Sequence, residues 1–181
     1  MVFGRISKRT LAWIFGPAGL LLLLHAFVLE TMHVVGQSMA DTLEPGDLVL
    51  VSKLARTESR LPGRGDVVAF RLPAKPSLLL VKRVVGLPGD HIVIEGGSLR
   101  IHDAGGLEWP DPERSQAAHP RGDTTPGHLD VVVPNGELFL VGDNRSEGAS
   151  SDSRDWGSVP SETVVGRVFL VLAPFARAGR L

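Results

Sequence analysis

The chain has 181 residues, 19 Lys and Arg against 20 Asp and Glu, a formal net charge of −1 and no cysteine. That length makes one domain with an appendage, and the missing cysteines exclude disulfide staples, thiolate zinc sites and a cysteine nucleophile. The balanced charge supplies no global field for nucleic acid, and a chain without tyrosine is a poor base-stacking platform.

Residues 1–10 carry Arg5, Lys8 and Arg9 and no acid. Residues 11–29 then run without a formal charge, long enough as a helix to cross a hydrocarbon core of about 30 Å. Pro17 and His25 are the awkward members, and a proline is tolerated where neighbours or water satisfy the freed backbone. The cationic flank predicts a cytoplasmic N-terminal segment over 1–10, a transmembrane anchor over 11–30, and everything from residue 31 outside. The apolar stretch exceeds the roughly 7–15 residues of a cleaved leader. No small-x-small site follows it at Leu29-Glu30-Thr31-Met32-His33, so a retained anchor is the reading.

Beyond the anchor, runs rich in Val, Ile and Leu occur at 48–51, 67–72, 78–85, 92–94, 99–101, 131–133, 138–141 and 164–172. Turn sequences punctuate them: Glu44-Pro45-Gly46-Asp47, Pro62-Gly63-Arg64-Gly65-Asp66, Leu87-Pro88-Gly89-Asp90 and Pro134-Asn135-Gly136. Short β-branched runs between such breakers predict strands. Residues 103–128, rich in Gly, Pro, Asp and His, hold no apolar period and predict an excursion, with the inserted part spanning about 96–130. Residues 161–165 offer one helical turn with Ser161 as N-cap. The apolar run 168–176 is too short to span a membrane as a helix; it is either a last core strand or a bilayer-surface contact.

A serine hydroxyl needs a base to attack a carbonyl, and a lysine serves only where burial lowers its pKa. Lys82 lies in Leu78-Leu79-Leu80-Val81-Lys82-Arg83-Val84-Val85, a predicted strand on which Lys82 and Arg83 point to opposite faces. One cation is therefore expected in apolar surroundings and the other in solvent. Taken alone this is a weak signal, because many such lysines merely snorkel at a strand edge, and Ser38 by itself reads as a turn or N-cap residue. The six histidines lack metal-ligand spacing.

Five segments in order sharpen the reading. They are Gly36-Gln37-Ser38-Met39-Ala40-Asp41-Thr42-Leu43, then Glu44-Pro45-Gly46-Asp47-Leu48-Val49-Leu50-Val51-Ser52-Lys53, then Gly65-Asp66-Val67-Val68-Ala69-Phe70. Val81-Lys82-Arg83-Val84-Val85-Gly86-Leu87-Pro88-Gly89-Asp90 follows, and last come Gly142-Asp143-Asn144-Arg145 with Ser150-Ser151-Asp152-Ser153-Arg154 and Trp156-Gly157. Together they resemble the boxes of the bacterial type I signal peptidases, serine/lysine-dyad proteases, over about residues 34–170.

The resemblance implies a mainly β fold: a coiled-sheet catalytic domain over 31–181 with a small inserted subdomain, behind one N-terminal transmembrane helix. It implies Ser38 as nucleophile and Lys82 as general base, with Ser150 orienting the lysine. Asp152 and Arg154 correspond to a structural ion pair behind the site, and Asp143 to the same polar network. The Ser38 backbone N–H would hold the oxyanion, and Gly36 and Met39 would stand at the oxyanion and substrate pockets. Two positions depart from the family pattern. Gly36 replaces a serine whose hydroxyl assists the oxyanion in some members, and Asp41 replaces the usual proline. A negative charge at Asp41 is expected to raise the Lys82 pKa if the two are close.

The implied activity is removal of N-terminal signal peptides from exported preproteins, with small aliphatic residues first and third before the cut. The implied place is the inner (cytoplasmic) membrane, single-pass, with the catalytic domain on the extracytoplasmic side. The partners are signal peptides and the bilayer; no cofactor, metal or nucleic acid is implied. The rivals are a specialised processing peptidase of the same clan serving a conjugation or pilus system, and an inactive membrane-tethered module that binds extended peptides. A self-cleaving repressor-like protein lacks support, because no helix-turn-helix precedes the β region.

Overall fold

The computed structural model describes residues 13, 15–17, 19, 28–56, 62–112 and 125–181. Trp13, Phe15, Gly16, Pro17 and Gly19 are helical, but most of the anchor expected over 11–30 lies outside the described residues. Among the described residues no helix is long and apolar enough to cross a membrane.

The larger sheet is built from β1 (Leu29–His33), β2 (Leu48–Ser52), β3 (Val67–Leu72), β4 (Lys75–Gly86), β9 (Glu137–Val141), β10 (Val159–Pro160), β11 (Val164–Ala173) and β12 (Gly179–Arg180). Its order is β1-β2-β11-β3-β4-β9-β10, with β12 added on β11. The smaller sheet, order β7-β6-β5-β8, comprises β5 (His91–Glu95), β6 (Ser98–His102), β7 (Glu108–Trp109) and β8 (Leu129–Val132). Every pairing in both sheets is antiparallel.

Alternation explains most of these strands. In β2 Val49 and Val51 turn inward, in β5 Ile92 and Ile94, and in β6 Leu99 and Ile101, while their neighbours are more exposed. That period of two is the pattern of a half-buried strand. β4 is different: its second half, from Val81 through Gly86, is buried on both faces. Val81 joins a core with Met39, Leu43, Val49, Val51 and Val168. Val84 joins a second with Val68, Phe70 and Leu140, and Val85 a third with Ile92, Ile101 and Phe139. The smaller sheet thus rests on the larger one through Val85, Phe139 and Val141.

Register shifts bend the larger sheet where β11 meets β2 and β3 and where β4 meets β9. Such bulges increase local twist and give the sheet its coil. At one of them a Cβ on Gly166 would stand 2.4 Å from the Ser52 carbonyl oxygen, so β2 and β11 approach there only because position 166 has no side chain.

Three expectations change, and of the two readings of the run 168–176 the strand holds. Leu29 and Glu30, placed at the end of the anchor, belong to β1, because the chain there pairs with β2 from Leu29↔Ser52 to His33↔Leu48. The turn at Ser161–Thr163 is a 3-10 turn capped without a side-chain bond from Ser161; its N-cap residue is Pro160. The run 168–176 is mostly strand: β11 lies between β2 and β3. Arg83 does not meet solvent; it and Lys82 are each 2% exposed.

Candidate active site

The serine loop begins at Gly36, whose φ of +86° is left-handed backbone that suits glycine. A turn follows, with Ala40 N–H donating to the Gln37 carbonyl at 3.0 Å. Met39 O then accepts from Thr42 N at 3.1 Å and Leu43 N at 2.7 Å. The Met39 and Leu43 side chains are buried in the core of β2, β3, β4 and β11 and anchor the loop. Ser38 is left half-buried between them and Gly36.

Lys82 comes from the doubly buried part of β4, opposite Val68 of β3. Its Nζ donates to Ser150 Oγ at 3.1 Å. Ser150 Oγ in turn donates to Asp152 Oδ2 at 2.6 Å. A hydroxyl has one proton, so with that proton directed at Asp152 the serine can only accept from Lys82. A neutral Lys82 held in this way keeps its lone pair for another partner. Among the described residues no hydrogen bond joins Lys82 Nζ to Ser38 Oγ. The Ser38 backbone and the Ser150 side chain both crowd Gly142: a Cβ there would stand 2.2 Å from Ser150 Oγ and 2.4 Å from the Ser38 carbonyl oxygen.

Asp152 is the hub behind the lysine. It accepts from Gly142 N at 3.0 Å, and from Arg154 Nε and Nη2 at 2.8 and 2.9 Å. It also N-caps the short helix Ser153–Trp156 by a capping box completed by Asp155, which fixes the chain just after Ser150. Burial opposes the charge of Asp152, but the Arg154 guanidinium and the Gly142 and Ser150 hydrogen bonds outweigh it and hold the carboxyl below its usual range. Lys82 responds chiefly to burial, which lowers its pKa from 10.5 to about 8 against the opposing pull of Asp152. Within that net value Arg154 adds to the lowering, while Asp143 and Asp155 oppose it; Asp41 is not among these leading charges.

The neighbouring cation has its own partner. Arg83 forks onto Asp143, with Nε to Oδ1 at 2.8 Å and Nη2 to Oδ2 at 2.6 Å, and donates to the Gly65 carbonyl at 2.8 Å. Thr42 Oγ1 adds a 2.6 Å bond to Asp143, tying the serine loop to this pair. Asp143 thus belongs directly to Arg83, and reaches Lys82 only through its charge. Asn144 bonds back to the serine loop, N to Ser38 O and Nδ2 to Gln37 O, both at 3.1 Å. Arg145 is buried against Asp111 at 2.9 and 2.8 Å and Thr125 at 2.9 Å, on the far side of the excursion. Residues 143–145 therefore secure strand β4, the serine loop and the excursion in turn.

Of the sequence-derived set, Lys82, Ser150, Asp152 and Arg154 form one hydrogen-bonded chain, and Ser38, Gly36 and Met39 line one cavity of about 200 Å³ with Met32, Val34 and Val81. Arg83 carries no site role in the sequence reading, and neither do Thr42, Gly142, Asn144 and Arg145. All of them lie inside the quoted segments, so motif membership was the available signal. Asp111 and Thr125 carried none. Asp41 takes φ +80°, a conformation closed to proline. Among the described residues no group of three or more His, Asp or Glu is placed to hold a metal ion.

A family model described as signal peptidase, peptidase S26 matches residues 7–173. The chain is 36% identical over 143 residues to signal peptidase I U of Bacillus subtilis (strain 168), covering 78% of this chain and 74% of that protein. It is 31% identical over 193 residues to signal peptidase I of Pseudomonas aeruginosa, covering 84% and 67%. A mitochondrial ATP-independent inner membrane protease subunit 1a of Arabidopsis thaliana is 32% identical over 161 residues, covering 87% and 80%.

Proposed function

The chain belongs to the signal peptidase family, peptidase S26, and from that membership we propose that it is a membrane-bound serine endopeptidase removing N-terminal signal peptides from exported preproteins. Ser38 is the nucleophile and Lys82 the general base. The observation that carries this reading is the Lys82 amine: buried, lowered to about 8, and held by a serine whose own proton faces Asp152.

The chemistry follows from that arrangement. Neutral Lys82 takes the Ser38 proton as Oγ attacks the scissile carbonyl, then returns it to the leaving amine. Ser150 keeps the amine in place, and Asp152 and Arg154 keep Ser150 in place. Catalytic hydrogen bonds often tighten only when substrate is bound; on this reading Ser38 Oγ closes on Lys82 when a peptide fills the cavity. The Ser38 N–H receives the developing oxyanion.

The cavity bears on substrate selection. A cavity of about 200 Å³ walled by Met32, Val34, Met39 and Val81 suits aliphatic side chains, and the preference for small ones first and third before the cut is carried over from the family. β4 pairs with β9 only from Arg83 onward, so the Leu79–Val81 part beside the cavity offers backbone to an incoming extended peptide. The charge-free stretch from residue 11 up to β1, with 1–10 in the cytoplasm and the sheet from Leu29 onward outside, supports a single-pass inner-membrane placement. Confinement of enzyme and preprotein to one bilayer raises their effective concentration. Within 31–181, about 96–130 is a non-catalytic insertion.

The test is cleavage of a preprotein with an Ala-x-Ala site by the purified full chain and by its Ser38→Ala and Lys82→Ala variants. Turnover by the parent alone is expected. Equal, negligible turnover by all three would favour the peptide-binding module. Turnover confined to one narrow class of precursor would favour the specialised processing peptidase, a reading to which the left-handed Asp41 in the serine loop lends some weight.

A further inference from the structure

We propose that Asn144 is a positioning residue of the oxyanion site: by gripping the Gln37 carbonyl it aims the Ser38 backbone N–H at the reacting carbonyl. The inference rests on the reading of Ser38 as nucleophile. A trans peptide unit is planar, with its C=O and N–H pointing in opposite directions. Gln37 C=O and Ser38 N–H belong to the same unit, so whatever fixes one fixes the other. Two donors hold the carbonyl: Ala40 N from within the loop at 3.0 Å, and Asn144 Nδ2 from outside it at 3.1 Å. Asn144 N also donates to the next carbonyl, Ser38 O, at 3.1 Å. One residue thus holds the peptide units on both sides of the Ser38 Cα. Among the described residues no acceptor takes the Ser38 N–H.

The grip is itself immobilised. Asn144 Oδ1 accepts from Ser146 N at 3.3 Å, which leaves Nδ2 as the end facing Gln37. Its chain neighbours are pinned by buried ion pairs, Asp143 to Arg83 and Arg145 to Asp111. A donor that does not move when charge develops is what oxyanion stabilisation requires. The need is sharper here because Gly36 brings no hydroxyl to share the load.

The experiment uses the full chain in detergent micelles with a defined preprotein, comparing the parent with Asn144→Ala and Asn144→Asp. The aspartate keeps the shape and turns an acceptor toward an acceptor. Removing a whole oxyanion donor costs on the order of 100-fold or more in kcat, so a misaimed one is expected to cost about 10- to 100-fold. KM is expected to stay within about twofold in both variants, and the apparent pKa of the rising pH limb to stay unchanged in Asn144→Ala, which alters neither the substrate contacts nor the charges around Lys82. Parent-like kcat in either variant overturns the inference. So does a loss shared with KM, or failure of both variants to fold, each of which would assign Asn144 to scaffolding. Turnover by the parent separates these outcomes from failure of the underlying reading; an inactive parent sinks both.

Discussion

Replacing Lys82 by methionine is expected to abolish turnover and to stabilise the fold at neutral pH. The lysine is buried and its pKa falls from 10.5 to about 8. Each pH unit of lowering is about 1.4 kcal/mol of preference for the neutral form, so a charged Lys82 costs the folded state about 3 kcal/mol. Methionine fills similar space without charge but loses the bond to Ser150, worth about 1 kcal/mol. The net gain at pH 7 is about 2 kcal/mol, or roughly 4–8 °C in Tm for a chain of this size. The sign with pH is fixed. Below about pH 8 the lysine is protonated in both folded and unfolded chains, and the methionine advantage is complete. Between about 8 and 10.5 the unfolded chain holds the extra proton, the parent gains stability, and the advantage fades. Melting curves of the full chain in detergent, taken from pH 6 to 10.5 for both proteins, measure it, and the difference cancels other titrating groups. A variant no more stable at pH 7, or an advantage constant across the range, refutes a buried amine whose pKa is lowered.

The same amine sets the rate. The base must be neutral to accept a proton, so kcat/KM is expected to rise with pH through an apparent pKa of about 8, measurable on a preprotein between pH 6 and 10. Gly142→Ala puts a Cβ 2.2 Å from Ser150 Oγ and 2.4 Å from Ser38 O; a fall in kcat/KM of at least about 100-fold is expected in steady-state assays. Asp41→Pro, which restores the residue usual in the family, forces φ from +80° to about −65° and removes the Asp41 N–H bond to Glu44. It should destabilise by about 1–3 kcal/mol in denaturant unfolding and lower activity.

The strands were legible because their burial follows a period of two, and the site because its residues sit in five quoted segments. β1 was not, since Leu29 and Glu30 continue an apolar stretch and only pairing with β2 makes them strand. Arg83 misled for a related reason. Alternation correctly sends it away from Lys82, but says nothing of what covers that face, which here is Asp143, Thr42 and Gly65. The conformation of Asp41 was equally hidden, because the aspartate side chain tolerates left-handed and ordinary turn backbone alike. Asp111 and Thr125 acquire meaning only when the folded excursion brings them to Arg145.

The seating of β11 between β2 and β3 has a consequence for biogenesis. β2 and β3 come early and have β1 and β4 on their outer sides, yet the edge each turns toward β11 stays unpaired until residues 164–173 arrive. Until then two apolar strands wait with open edges, a state prone to wrong partners. The core that anchors Met39, Leu43 and Val81 is therefore completed only when Val168 and Val171 arrive on β11, and the strand that zips the two halves together also closes the ground under the site.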